Sequence, residues 1–425
     1  MNQAKASIAV IGLGYVGLPL ASLFLQNGHT VYGIDVDASK IAKLQNLQSY
    51  LSDFTSKEIR AMFAGGRFHV SDSFSDISKA DAVILCVPTP LDRNFEPDLT
   101  YVQGAMKNAL PYLRKDQLVV LESSTYPGTT EEELLPMIES TGLVVGQTVF
   151  LAYSPERIDP GPDQKELHLI PKVLGGVTEK CTETAKAIYE SIFDRVVVVS
   201  SPRVAEFTKL LENCQRLINI SFMNELAILC EKMNINLWEA IKAASTKPYG
   251  FTPYYPGPGI GGHCIPVDPL YLQWKAKQYG EDSKFIELAH RVNESMPDYV
   301  VQKVSQHLST NKPLAECKVF ALGVTYKKDV NDLRESSALT IIQKLMEAGV
   351  TVNFHDPYIN RVEIGGRTLN GVALTKRIIQ QHDCVLILTD HSSISYETLA
   401  SFSHLVFDTR NATKNIEDRK NIIVI

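Results

Sequence analysis

Short apolar runs of strand length recur through the opening part of the chain, each followed by a stretch whose apolar positions repeat at helical spacing. Residues 7–11 (SIAVI) read as a strand, GLGYVG as a turn, LPLASLFLQNG as a helix closed by Gly28, and HTVYGID as the next strand. Further strands are predicted at AVILCVP (82–88), QLVVLESS (117–124) and TVFLAYSP (148–155). This alternation of strand and helix predicts an α/β fold with a doubly wound, mostly parallel sheet.

The rhythm changes at Ser201. The run SPRVAEFTKLLENCQRLINISFMNELAILCEKM places apolar residues at Val204, Phe207, Leu211, Cys214 and Ile218 and has no glycine. Ser201 as N-cap and Pro202 at the first helical position mark the start of one long helix. Its many apolar positions predict burial on more than one side, a second subunit being one candidate for the outer side. Helices continue to about residue 308, and strand–helix alternation then resumes with CKVFALGV (317–324), SSALTIIQKLMEAG, VTVNFHDP, DCVLILTD and HLVFDTR. The expected layout is 1–200, 201–308 and 309–425: two sheet domains joined by a long central helix. The last domain lacks a glycine-rich fingerprint, so no dinucleotide is expected there.

Composition narrows the functional classes. A chain of 425 residues is too long for one core of typical size. The net charge of −6, with both signs interspersed, excludes a broad basic surface for nucleic acid. No apolar run reaches the roughly 18 residues a membrane span needs. The N-terminus lacks the layout of a signal peptide, and a cytoplasmic location is expected. Seven cysteines, the closest pair being Cys214 and Cys230, form neither a disulfide framework nor a metal-binding pattern.

Six motifs carry candidate chemistry. Gly12, Gly14 and Gly17 satisfy GxGxxG between a strand and a helix, where the glycines allow a tight turn, backbone approach to a pyrophosphate and close helix packing. Asp35 follows at the end of the next strand, placed to bind both ribose hydroxyls and repel a 2′-phosphate, which favours NAD over NADP; Lys40 lies nearby on the adenosine side. Lys209 and Asn213 share one face of the long helix, a pattern that also fits a solvated face. Glu156 and Thr125 lie just beyond predicted strand ends, where open α/β sheets place ligands; a surface acid and a turn residue are the plain alternatives. Cys264 follows Gly261, Gly262 and His263, with Pro266 and Asp268 entering a helix. A thiol at a helix N-terminus is a better nucleophile, and the glycines allow close approach of a ligand, although a small buried cysteine is as common. In TYKKDVNDLRESS, Lys327, Lys328 and Arg334 suit a phosphate or diphosphate, unless Asp329, Asp332 and Glu335 neutralise them.

Together GLGYVG with Asp35, Thr89 in CVPTP, SSTYPGTT, AYSPER, EFTKLLEN, GPGIGGHCIPVDP and TYKKDVNDLRESS resemble the UDP-glucose/GDP-mannose dehydrogenase family, in order and over nearly the whole chain. The resemblance implies two Rossmann-like domains and a four-electron oxidation of a sugar C6 alcohol to a carboxylate with two NAD. Cys264 would be the nucleophile of a thiohemiacetal and thioester, Lys209 and Asn213 would stabilise the oxyanion, and Asp268, Glu156 and Thr125 would manage base and water chemistry. It also implies NAD contacts from Gly12, Gly14, Tyr15, Val16, Gly17, Asp35, Lys40, Thr89 and Thr125. Substrate contacts are implied for Glu156, Arg157, Lys209, Asn213, Tyr254, Tyr255, Gly257, Gly261, Tyr326, Lys327 and Arg334. The loop YGFTPYYPGPG, with Tyr249 and Phe251, would close on sugar and diphosphate. His263 and the long loop resemble the branch acting on a UDP-N-acetylhexosamine, the gluco epimer first, for surface polysaccharide. The manno and galacto epimers, UDP-glucose and, more remotely, a two-electron β-hydroxyacid oxidation are the alternatives. A homodimer through the long helix is expected.

Overall fold

Eight strands form the first sheet: β1 (Ser7–Ile11), β2 (Thr30–Ile34), β3 (Phe68–Ser71), β4 (Ala82–Leu85), β5 (Leu118–Leu121), β6 (Phe150–Tyr153), β7 (Lys172–Gly176) and β8 (Val196–Val198). In this computed structural model, residues 5–51, 54–157, 166–262, 264–310 and 312–425 are described. The strand order is β3-β2-β1-β4-β5-β6-β7-β8, parallel at every pairing except β6 with β7. Every residue of β4, β5 and β6 is buried, as a sheet covered on both faces requires. The covering helices are α1 (Gly17–Gln26), α2 (Ala38–Gln45), α3 (Ser56–Ala64), α4 (Thr100–Ala109), α5 (Leu135–Glu139) and α6 (Glu179–Tyr189). The strand order reverses between β1 and β4, so the loops GLGYVG and CVPTP leave adjacent strand ends at the switch point where such sheets bind ligands.

The strands end sooner than the apolar runs do. β4 stops at Leu85, β5 at Leu121 and β6 at Tyr153, which leaves Thr89, Thr125 and Glu156 in the loops beyond. Asp35 is likewise the first residue past β2. Strands β3, β7 and β8 were not anticipated, because FHVS is short and mixed and KVLGG carries a lysine and two glycines.

The long helix is α7 (Pro202–Lys232), 31 residues and roughly 46 Å at the usual rise. Ser201 caps it, accepting from the Val204 amide at 3.4 Å. Its polarity is partly inverted: Glu206, Lys209, Asn213, Ser221 and Asn224 are buried along with Leu210, Leu217 and Met223, while Val204, Phe207, Leu211, Phe222 and Leu229 are exposed. Then come α8 (Leu237–Ala244), α9 (Cys264–Gln278) and α10 (Lys284–Leu308). The chain forms two compact units, Met1–Glu212 with Leu270–Asp282, and Asn213–Pro269 with Ser283–Ile425.

The second unit holds a five-stranded parallel sheet of β9 (Lys318–Leu322), β10 (Thr351–His355), β13 (Cys384–Ile387), β14 (Val406–Asp408) and β15 (Ile422–Val424), in the order β10-β9-β13-β14-β15. Between them lies the hairpin β11 (Arg361–Ile364) and β12 (Arg367–Asn370), whose charged surface hid it from hydrophobic patterning. Val319 and Ala321 face α10 and α11 (Ser337–Glu347), packing with Val300, Val304, Ile341 and Leu345. Phe320 and Leu322 face the other way, towards Ile379 of α12 (Lys376–Gln380) and Leu399 of α13 (Tyr396–Phe402). The order reverses between β9 and β13, so TYKKDVNDLRESS, which follows β9, leaves a second switch point.

Candidate active site

In the first unit the glycine turn has the properties a dinucleotide needs. Gly12 has φ +91, and a Cβ there would lie 2.5 Å from the Cys86 carbonyl oxygen. Gly14 has open space around the position a Cβ would take, which leaves its backbone accessible to a pyrophosphate. Asp35 is buried, accepting from the Leu13 amide at 2.9 Å, from the Asp37 amide at 2.9 Å and from Lys40 Nζ at 3.2 Å. Lys40 thus neutralises Asp35 here. Tyr15 is exposed beside the turn, Val16 precedes α1, and Thr89 is buried with its carbonyl accepting from the Tyr271 hydroxyl. The residues present fit a bound NAD.

The loop after β5 runs beside α7 within the same unit. Glu206 Oε2 accepts from the Gly128 amide at 2.5 Å, and its Oε1 accepts from the Thr130 amide at 2.9 Å and hydroxyl at 2.7 Å. Burial pushes the Glu206 carboxyl up to about 7, although these bonds pull the other way. Thr125, in this loop, is buried and its hydroxyl has no partner among the described residues. It is therefore not the N-cap or turn residue that its sequence context allowed.

Glu156 and Lys209 are both buried, which removes the surface-acid and solvated-face alternatives. Lys209 Nζ donates to the Glu156 main-chain oxygen at 2.5 Å. The Glu156 carboxylate accepts from the Arg157 amide at 2.6 Å and from Lys172 Nζ at 3.2 Å. Lys172 also donates to Glu122 at 2.8 Å, and the Tyr189 hydroxyl donates to Glu122 from the other side. Burial alone would lower the Lys172 pKa; the two carboxylates outweigh it and raise the pKa above its usual value. Arg157 is held by Glu212, at 2.5 Å and 3.2 Å. Lys172 and Glu122 were missed by sequence reasoning, although a lone lysine in the fully buried strand β7 is the kind of signal that demands a partner.

In the second unit Cys264 is the first residue of α9 and is partly exposed, unlike an inert core cysteine. Asp268, one turn on, is buried and accepts from Asn213 Nδ2 of α7 at 2.6 Å. The glycines before Cys264 also allow close packing within the protein. A Cβ at Gly261 would lie 2.5 Å from the Glu335 oxygen and 2.7 Å from Tyr326 Cβ, and one at Gly262, with φ +83, 2.7 Å from Tyr326 Cε2. The Gly262 amide donates to the Arg334 carbonyl at 2.9 Å. These glycines let the cysteine turn pack against TYKKDVNDLRESS, and that contact brings Gly261, Tyr326 and Arg334 together. His263, and the IDPG that follows AYSPER, lie outside the described residues.

The TYKKDVNDLRESS loop is held firmly. Asp329 and Glu335 adopt φ +57 and +48, unusual for residues with side chains. Asp356 accepts from the Val324 amide at 2.8 Å and from the His391 ring at 3.0 Å, and Asp329 accepts from the Ser392 hydroxyl at 2.5 Å. Burial would raise the Asp356 pKa, but its bonds from His391 and Val324 outweigh it and hold the carboxyl below its usual range. Arg334 pairs with Asp332 at 2.6 Å, so part of the positive charge is answered within the loop.

Three of the four aromatic residues of YGFTPYYPGPG pack within the protein, Phe251 and Tyr254 on Met223, Leu237 and Ile241. Tyr255 stacks on Trp238 at 5.5 Å, and Tyr249 is exposed. Gly257 donates to Asn224 Oδ1 at 2.9 Å, and a Cβ there would lie 2.8 Å from Arg410 Nη1. Asn224 Nδ2 has no partner among the described residues. Arg410, also missed from sequence, stands just past β14 in DTRN; burial lowers its pKa, against the pull of Asp390 and Asp408.

Three models of the UDP-glucose/GDP-mannose dehydrogenase family match the chain: the NAD binding domain over residues 6–193, the central domain over 203–295 and the UDP binding domain over 320–415. A UDP-N-acetyl-D-mannosamine dehydrogenase of Methanococcus maripaludis is 34% identical over 423 residues, covering 96% of this chain and 94% of that one. A UDP-N-acetyl-D-glucosamine 6-dehydrogenase of Pseudomonas aeruginosa is 37% identical over 357 residues, 83% of each chain. The solved structure of the UDP-D-ManNAc dehydrogenase from Pyrococcus horikoshii matches with a TM-score of 0.90 at 32% identity, over 99% of both chains.

Proposed function

Because the chain belongs to the UDP-glucose/GDP-mannose dehydrogenase family and is an NAD-dependent oxidoreductase, we propose that it oxidises the C6 alcohol of a UDP-N-acetylhexosamine to the carboxylate in two two-electron steps. The observation that carries this reading is Cys264 as first residue of α9, with Asp268 one turn on and tied to Asn213. An oxidation that stops at the aldehyde has no use for a nucleophile there. One that goes on to the acid does, because the aldehyde carbon can release a second hydride only after a nucleophile has added to it.

Bound NAD would accept the hydride in each step, a fresh molecule serving the second. In the first step Lys209, or Asp268 with it, takes the C6 hydroxyl proton. The Cys264 sulfur then bonds to the aldehyde carbon, giving a thiohemiacetal whose oxygen is stabilised by the Lys209 ammonium and the Asn213 amide. Loss of a hydride and a proton leaves the thioester, and Glu156 takes a proton from the water that hydrolyses it. Thr125, with its unpartnered buried hydroxyl, holds that water or the nicotinamide. Lys327, Arg334, Arg410 and Asn224 Nδ2 offer the cations and the donor that a diphosphate and sugar require.

The gluco epimer is the reading carried forward, supported by likeness to the Pseudomonas enzyme. The manno epimer is the second reading, favoured by relatives that match nearly end to end. Initial rates with the UDP derivatives of N-acetylglucosamine, N-acetylmannosamine, N-acetylgalactosamine and glucose rank the sugars. Two NADH per sugar consumed is the expected end point; one NADH with an aldehyde product overturns the reading.

The product would be a UDP-linked acidic sugar, a donor suited to polysaccharide synthesis in the cytoplasm. Among the described residues no helix is long and apolar enough to cross a membrane. The exposed apolar row of α7 is proposed to pair with the same row of a second copy, forming a homodimer.

A further inference from the structure

Behind Glu156 stands an arrangement that stability alone does not explain. Lys172, Glu122 and Glu156 are buried together, with two carboxylates for one ammonium. Desolvating three charges costs several kcal/mol per ion before pairing is counted, and an apolar cluster of the same volume is often as stable. The aromatic rings of Tyr189 and Phe193 flank Lys172 at 5.5 and 5.4 Å, which fixes the ammonium further.

We infer that Lys172, anchored on its far side by Glu122 and Tyr189, is a positioning residue that holds the Glu156 carboxylate oriented for hydrolysis of the acyl-enzyme; this rests on the hydrolytic role proposed above for Glu156. In that step a water oxygen bonds to the C6 carbonyl carbon and a water proton passes to Glu156. The carbon–sulfur bond breaks with its electron pair going to the Cys264 sulfur. No oxidant or reductant is consumed.

Each oxygen of the Glu156 carboxylate has a fixed donor, Oε1 the Arg157 amide and Oε2 Lys172. A base restrained at both oxygens presents its lone pairs in one direction. Glu122 acts oppositely to Lys172 in charge. It repels Glu156, and its own pKa is pushed up by burial and by Glu156, against the pull of Lys172. Among the described residues, titratable groups that also face this cluster include Cys86, whose thiol is raised by burial, Tyr189, and Lys209 at the Glu156 main chain.

Opposite charges make opposite signatures. Lys172→Met removes the favourable cation, so the acid limb of the hydrolysis step moves to higher pH. Glu122→Gln keeps the shape and removes a repelling charge, so the limb moves to lower pH. A role confined to packing moves neither limb in a charge-dependent direction. Single turnovers are followed with UDP-N-acetylglucosamine and NAD, using the best substrate of the panel if another epimer reacts faster, and the covalent acyl-enzyme is weighed by intact-protein mass spectrometry.

The expected result is accumulation of acyl-enzyme in Lys172→Met, with hydrolysis slowed at least about tenfold, short of the roughly hundredfold or more that loss of the base itself costs. NAD binding is retained, and Lys172→Arg recovers part of the rate. If Lys172→Met does not fold, Glu122→Gln and Lys172→Arg carry the test through the direction of the limb and the hydrolysis rate. Limbs that coincide with the wild type or move in the same direction overturn the inference. So does acyl-enzyme that accumulates in Glu156→Gln but not in Lys172→Met. If Glu156→Gln itself fails to accumulate it, the hydrolytic role of Glu156 is what falls.

Discussion

Asn213 of α7 donates to the Asp268 carboxylate at 2.6 Å, so this hydrogen bond ties the long helix to the helix that begins with Cys264. Asn213→Asp turns that bond into a contact between two buried carboxylates, which cannot both ionise at this distance. Turnover is expected to fall by about two to three orders of magnitude at neutral pH, the cost of losing an oxyanion donor. Because one proton shared by the pair relieves the repulsion, activity relative to the wild type recovers as pH falls. A pH–rate series on both proteins checks this, and a variant whose relative activity is flat or falls towards acid pH contradicts the pairing.

The glycines of GLGYVG separate fold from binding. Gly12 sits at φ +91 against the Cys86 carbonyl, so Gly12→Ala should lose about 1–3 kcal/mol of stability through backbone strain. Gly14 has nothing near its Cβ position. Gly14→Ala should melt at the wild-type temperature and yet bind NAD more weakly, because the new methyl occupies the space the pyrophosphate approaches. Thermal melts and NAD titrations on the two variants distinguish the roles. Equal melting losses in both would mean that Gly14 serves the fold.

The exposed row Val204, Phe207, Leu211, Phe222 and Leu229 gives α7 an apolar outer face that water disfavours. Pairing of two copies along this row places Leu211 in the interface, and Leu211→Glu would put a charge there without a partner. Sedimentation is expected to show a dimer for the wild type and a shift to monomer for the variant. A wild-type monomer at micromolar concentration, or a variant that stays dimeric, removes this face from the assembly.

The sheets and the long helix were legible because their signals are local. Continuous buried runs such as AVIL and LVVL, a Ser-Pro start and thirty residues without glycine need no distant partner to be read. The candidate residues Glu156, Lys209 and Asn213 were legible as motifs, but their burial was not. It follows from the partly inverted polarity of α7, which hydrophobic periodicity reads as a solvated polar face. Lys172 was hidden for another reason: its partners Glu122 and Glu156 come from other strand ends, 50 and 16 residues away in sequence. Gly261 and Gly262 were read as room for a ligand, and their packing against Tyr326 was not legible, since it lies more than sixty residues downstream of them.

Glu206 makes stability depend on pH in a way opposite to an ion-paired carboxylate. Its pKa is raised by burial from the ordinary 4.5 to about 7, so the folded protein binds a proton that the unfolded chain has already released. The associated stability is complete below about pH 4.5 and is lost as pH rises through about 7. Between about pH 5 and pH 8 the loss is about 2 to 3 kcal/mol, since a tenfold difference in proton affinity between the folded and unfolded chains is worth about 1.4 kcal/mol. Glu206→Gln cannot ionise, and its amide sets a donor against the donors at Gly128 and Thr130, so it is less stable in absolute terms while lacking this slope. Denaturant unfolding of both proteins across that range is expected to show the wild-type advantage shrinking as pH rises. Parallel stability curves would place the Glu206 carboxyl near its ordinary value and remove the protonated form from the account of how α7 holds the Thr125 loop.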